Sequence, residues 1–308
     1  MPSESFVTSV PSTAHWMAAA RAVETERGDG SLFRDPLARR LAGPKGFALL
    51  DRYKGGGLVD FVAIRTRYLD DCIRFALEGT QIRQVVLIAA GLDTRAYRMS
   101  WPSDAVVYEV DLPDLLIEKA EKLTWLGTEP GVTLRRVHAD LTVDWLAELE
   151  DNGFVATRPV LWVAEGLLFY LTGQQAAALL RTMNVGSPPG SWLAADLVNE
   201  QLLRTPATRS FISALRAGGI PWQFGTDDLA SFLQANGWDE REVKEPGERG
   251  AGQDRWRYPV QPADVRHAPR HWLFQATWSP WGDGPQPGQH HSGSGPRARD
   301  TAEKVIQL

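Results

Sequence analysis

The sequence predicts an α/β protein built on a doubly wound, mostly parallel sheet, and three observations predict it. Short apolar runs recur between residues 84 and 198, helical patterns separate them, and glycine or acidic residues stand where several runs end. Taken in order, 13–27 (TAHWMAAARAVETER) and 58–79 (LVDFVAIRTRYLDDCIRFALEG) read as helices. In the second, Val62, Leu69, Ile73 and Ala76 recur at helical spacing, which suits packing over an edge or mouth of the sheet. The run 84–90 (QVVLIAA) is continuously apolar, as expected of a strand covered on both faces. Next come 105–111 (AVVYEVD) and a helix opened by Pro113, where the missing N–H costs nothing. Residues 132–139, 159–166 and 191–198 read as further strands, with helices at 143–150 and 173–183. After residue 200 the reading is helical, then a long Gly- and Pro-rich charged loop at 245–270 that overlaps a late strand at 268–280. Residues 283–308 have the composition of disordered chain and are left out of the fold.

Composition narrows the function classes. The 308 residues are 43% hydrophobic and 23% charged, enough for one α/β domain with insertions or for two smaller domains. A net charge of −5 carries no basic excess for nucleic acid or an anionic membrane. The single cysteine, Cys72, excludes an internal disulfide framework and a cysteine-built zinc site. No apolar run approaches the roughly 18 residues that span a bilayer. The first residues lack the basic and apolar regions of a signal peptide, so the expected location is the cytoplasm.

Four features at strand ends carry candidate chemistry. Gly91 follows the first buried run, where open α/β sheets bind nucleotides and a missing Cβ lets a ligand approach the backbone. Ala89 and Thr94 occupy the other two positions of a G-x-G-x-x-G motif, which argues against a pyrophosphate-bridged dinucleotide. Asp111 lies 20 residues beyond Gly91 at the end of the second strand, the spacing of a ribose-binding carboxylate; the plainer role is to cap the helix at Pro113. Glu109, two residues earlier, faces the same side. Asp140 can accept a hydrogen bond from an adenine amine while Leu141 packs on its ring, and capping of the next helix explains Asp140 equally well. Glu165 ends a run that should be buried, which marks it as a functional candidate or as the partner of a nearby arginine.

Together these residues resemble the class I S-adenosylmethionine-dependent methyltransferases, and more narrowly the leucine carboxyl methyltransferase family with its bacterial small-molecule O-methyltransferases. Six ordered blocks carry the resemblance between about residues 10 and 280: RAVETERGDGSLFRDPLARRLAG ending at Gly43, AIRTRYLDD (63–71), AAGLDTRAYR (89–98), YEVDLP (108–113), HADL (138–141) and AEGLLFYL (164–171). The resemblance implies a class I methyltransferase-like fold with a helical N-terminal cover (1–80), a catalytic domain binding S-adenosyl-L-methionine (81–282) and a late antiparallel strand. It implies that Arg65 pairs with the methionyl carboxylate, with Arg67 as a neighbouring alternative. It further implies that Gly91 passes under the cofactor, that Asp111 binds its ribose, that Asp140 and Leu141 hold adenine, and that Glu165 lies near the methionyl ammonium and the reacting groups. Ala89 departs from the glycine of some family members, and its methyl group would shift the cofactor slightly.

Direct methyl transfer needs alignment and exclusion of water more than acid–base help. A carboxylate acceptor, with a pKa near 4, arrives ionised, whereas a phenol near 10 gains from a base. None of the six histidines falls at a nucleotide-binding turn: His290 and His291 lie in the tail, His138 on a strand, and His15, His267 and His271 elsewhere. The absence of an evident base favours a small-molecule or peptide carboxylate as acceptor, with a hydroxyl of an aromatic natural product as the alternative. Twelve tryptophans, Trp222, Trp256, Trp272, Trp278 and Trp281 among them, serve mainly as core and loop anchors, and some can line an apolar pocket. Arg255, Arg257, Arg266 and Arg270 in the 245–270 loop form a solvated face, or attract an acidic substrate if the loop folds over the pocket. Two rivals remain at this point. An NAD(P)-dependent oxidoreductase is opposed by the missing glycines, and a non-catalytic relative by the presence of Arg65, Asp111 and Glu165.

Overall fold

The computed structural model describes residues 4–280, except 54, 56, 263 and 266, and side chains from residue 12 onwards. The tail at 283–308, Trp281, Arg266, His290 and His291 therefore lie outside the described residues. Three helices come first: α1 (Glu4–Thr25), α2 (Ala38–Arg52) and α3 (Leu58–Gly79). The sheet alternates with helices in the order β1 (Gln84–Ile88), α4 (Arg95–Arg98), β2 (Val106–Asp111), α5 (Pro113–Trp125), β3 (Thr133–His138), α6 (Trp145–Asp151) and β4 (Val160–Ala164). It continues through α7 (Gly173–Val185), β5 (Trp192–Val198), α8 (Glu200–Arg204), α9 (Arg209–Ala217), α10 (Leu229–Gln234), β6 (Trp238–Lys244) and β7 (His271–Trp278).

The seven strands lie in the order β3-β2-β1-β4-β5-β7-β6. The first five are parallel, and β7 runs antiparallel to both β5 and β6. Every residue of β1, β4 and β5 is buried, because helices cover both faces. Strand order reverses between β1 and β4, so a crevice opens at their carboxyl ends, where open α/β sheets place ligands. Among the described residues, no helix is long and apolar enough to cross a membrane.

Local chemistry explains the boundaries. Helix α3 spans the expected residues and buries Val62, Leu69, Ile73 and Ala76. Pro113 opens α5, and a capping box of Thr172 with Gln175 opens α7. Strand β1 stops at Ile88, two residues before the expected end, because Ala89 takes φ +51° and turns the chain. Strand β6 departs from the sequence expectation, which is helical from residue 200 up to the loop. Its residues, WDEREVK, are mostly charged and only partly covered at the sheet edge, so no apolar alternation announces them.

Candidate active site

The crevice deepens into a cavity of about 440 Å³ beneath α1 and α3. Its two ends differ in chemistry. At the rim, Ala89–Asp93 and Asp111 meet Ala14, Met17 and Arg21 of α1. At the far end, Phe61, Phe169, Phe211 and Trp222 form an aromatic chamber that includes His271. Arg65 and Glu165 also line the cavity.

The rim is assembled from strand ends. Gly91 has φ +50°, and an added Cβ would sit 3.1 Å from the Ala14 methyl, so glycine suits the turn on both counts. The Asp111 carboxylate accepts hydrogen bonds from the N–H of Gly91 (2.6 Å) and of Leu112 (2.7 Å). It makes no capping bond to α5, whose N-cap is Leu112. Burial raises the Asp111 pKa against those two N–H groups. Glu109 has a different role, for it is fully buried and pairs with Lys119 at 2.7 Å.

A continuous array of ion pairs runs behind the cavity wall. Arg65, only 2% exposed, donates from Nε to Glu165 (3.1 Å) and from Nη1 to Asp196 (3.0 Å). Arg95 pairs with Glu165 at 2.8 Å, with Asp70 at 2.7 Å, and with Asp93. Arg98 closes the array with two bonds to Asp70, at 2.6 and 2.8 Å. Burial alone would raise the Glu165 pKa, but Arg95 and then Arg65 hold it at about 2. Asp93 is likewise held at about 2 by Arg95 and Lys119 against its burial. For Asp196 burial prevails and the pKa rises, despite Arg65 and the Gly166 N–H that donates to it at 2.6 Å. Gly166, at φ +64°, lets the Arg65 guanidinium lie against the backbone; a Cβ there would come within 2.9 Å of Nη1.

The structure gathers Arg65, Gly91, Asp111 and Glu165 around one cavity. It does not bring Asp140 and Leu141 to that cavity. Asp140 is exposed and accepts from the N–H and hydroxyl of Thr142, whereas Leu141 packs in part against the core. The cap of α6 is Asp144, so capping does not explain Asp140 either. Arg67 is half-exposed, pairs with Asp71 and donates to the Leu32 carbonyl, outside the cavity lining.

Sequence reasoning missed Asp93, Arg95, Asp196 and His271. The first two stand within the AAGLDTRAYR block, and Asp196 is a lone charge in an apolar strand, the same signal that marks Glu165. Among the described residues of the 245–270 loop, Trp256 alone reaches the cavity lining. Arg255 is committed to Glu24 and Arg270 to Glu245, so neither faces a substrate.

A leucine carboxyl methyltransferase family model matches residues 14–184, more than half of the chain. The chain belongs to the leucine carboxyl methyltransferase family. Among its relatives, a Mycolicibacterium gilvum protein named "Putative S-adenosyl-L-methionine-dependent methyltransferase" is 42% identical over 62% of this chain and 67% of its own length. A Mycolicibacterium smegmatis relative of similar name is 36% identical over 85% of this chain and 88% of its own. The fold is shared with a DUF574-family protein from Streptomyces avermitilis, at TM-score 0.56 and 16% identity over 84% of this chain and 97% of that one. All six sequence blocks that suggested the leucine carboxyl methyltransferase family lie within the matched region.

Proposed function

We propose that this member of the leucine carboxyl methyltransferase family is an S-adenosyl-L-methionine-dependent O-methyltransferase that esterifies a carboxylate of a small apolar molecule. The names of its relatives support the cofactor, and so does the donor set at the rim. Asp111 uses one lone pair on each oxygen for backbone N–H groups and keeps the others for ribose hydroxyls. Arg65 Nη2 meets the Met17 sulfur at 3.4 Å and forms no ion pair among the described residues, which leaves that edge for a methionyl carboxylate. Glu165, fully ionised at neutral pH, suits a methionyl ammonium. Asp140 and Leu141 remain assigned to adenine only by family likeness.

When bound, this cofactor supplies an electrophilic methyl group; the chain supplies alignment and a dry chamber. One observation carries the carboxylate reading: Glu165, His271 and Tyr170, which line the cavity, are not poised to take a proton from an acceptor near pH 7. Glu165 is held at about 2 between two guanidiniums, and burial, aided by Arg65, holds His271 at about 3. Burial keeps the Tyr170 phenol protonated, at about 12. Asp111 is bound to two N–H groups at the opposite end. An acceptor oxygen that arrives already ionised needs no base, and a carboxylate does so. A cavity of this size falls in the small-molecule range.

The test is methyl transfer from labelled cofactor to a panel of aryl and short-chain acids and to the matching phenols. Product label released by mild base, with a rate flat from about pH 6 to 9, is the expected result. Base-stable label, with a rate rising towards the phenol pKa, would establish the hydroxyl alternative.

A further inference from the structure

His271 stands outside every sequence block that signalled the family, yet it lines the acceptor end of the cavity. It opens β7, paired with Val198 at the end of β5. Its ring lies 4.2 Å from the Phe61 ring at 34° and meets Trp222 edge-on at 6.0 Å. Phe169 and Phe211 flank the same indole, at 4.3 and 5.5 Å. Amid these rings the buried Nε2 has no hydrogen-bond partner among the described residues. Buried polar atoms without a partner are rare, and a ligand atom that completes the bond removes the cost.

We propose that His271 is the positioning residue for the acceptor: its imidazole hydrogen-bonds one carboxylate oxygen of a small aryl acid stacked in the aromatic chamber. This rests on the carboxylate reading above and adds the group that reads the carboxylate. Phe61, Phe169, Phe211 and Trp222 line the cavity beside His271 and offer rings on which an aryl part can pack offset or edge-on, the favoured geometries. The imidazole acts as a donor and not as a base. Burial and the Arg65 guanidinium hold it neutral, and a neutral ring retains one N–H. The charge that acts on it is Arg65 from α3, itself paired with Glu165 after β4 and Asp196 on β5; protonation would set a second cation beside Arg65. With one carboxylate oxygen held, the other forms the new O–CH₃ bond as the S–CH₃ bond breaks and its electron pair returns to sulfur. No proton moves.

Calorimetry with 2-naphthoate as the probe, on protein saturated with S-adenosylhomocysteine, tests the role in wild type, His271→Phe and His271→Asn. His271→Phe is expected to weaken 2-naphthoate about tenfold, the value of one hydrogen bond to a charged group. S-adenosylhomocysteine affinity should stay within about twofold, because the cofactor residues are untouched. His271→Asn, which keeps an N–H, is expected to recover part of the loss. Equal 2-naphthoate binding by wild type and His271→Phe overturns the proposal, as does a wild type that binds S-adenosylhomocysteine but not 2-naphthoate. A rate that falls on acidification with a midpoint lost in His271→Phe would make the imidazole a base and also overturn it. Failure of the wild type to bind S-adenosylhomocysteine would instead strike the cofactor reading itself.

Discussion

The two ends of the cavity solve opposite problems. At the rim and along the adjoining wall, Asp111, Arg65 and Glu165 are each bonded to named partners from separate elements. In the aromatic chamber the walls are rings, and the imidazole nitrogen of His271 is left without a bond among the described residues. A paired array holds geometry but tolerates little change, because removing one member strands its neighbours in low dielectric. A ring-lined chamber tolerates variation of shape and selects through area and a few polar contacts. The wall therefore leaves little room for substitution, and the chamber can vary in shape at smaller cost.

The sharpest way to break this contrast is Glu165→Ala. It leaves Arg65 and Arg95 short of a partner, and a loss of about 3–5 kcal/mol in urea unfolding is expected, together with loss of methyl transfer. A loss below about 1 kcal/mol would show that the array is as loosely coupled as a surface pair. Next in size, Asp111→Ala should weaken S-adenosylhomocysteine binding by about 1–3 kcal/mol in calorimetry, and unchanged affinity would limit Asp111 to tying the Gly91 turn to β2.

The chamber end gives a pH signature. His271 is neutral in the fold down to about pH 3, whereas its unfolded value is near 6.5. Between these values the unfolded chain binds the extra proton, so this contribution is complete above about pH 6.5 and is lost as pH falls. At pH 5 the loss amounts to about 2 kcal/mol, and the drop in stability from pH 7 to 5 should be smaller by that amount in His271→Phe. Glu165, held at about 2, adds a loss in the same direction only below its unfolded value near 4.5. An identical pH dependence in the variant would mean that the imidazole already titrates in the fold.

The smallest effect concerns the rim turn. Ala89 sits at φ +51°, a conformation that a Cβ disfavours, at the position where some family members carry glycine. Ala89→Gly should raise stability by about 0.5–1 kcal/mol, the relieved strain being offset in part by a more flexible unfolded chain. Thermal unfolding would show it, and a decrease would mean that the turn is relaxed with its methyl in place.

These contrasts also explain what could be read from residues alone. The buried parallel strands announced themselves, since QVVLIAA and SWLAADLV can lie only where both faces are covered. Asp111 and Glu165 were legible because charge at the end of an apolar run is costly without a purpose. His271 was not, because the rings it meets come from positions as distant as 61 and 222, and no local spacing encodes that meeting. Strand β6 was hidden for a related reason: an edge strand keeps charges exposed and takes its order from pairing with β7. Asp140, singled out because it follows the third strand, accepts from Thr142 outside the cavity lining, a local turn that its place after a strand does not foretell.

The array behind the cavity has one more property, visible when its formal charges are set side by side. Asp196, Glu165, Asp93 and Asp70 are paired with Arg65, Arg95 and Arg98, which leaves the array one electron charge on the negative side. The field of such an array attracts a molecule of net positive charge more strongly than one of net zero charge. A methyl donor that becomes neutral on giving up its group would thus lose part of its hold on the wall at the moment it is spent.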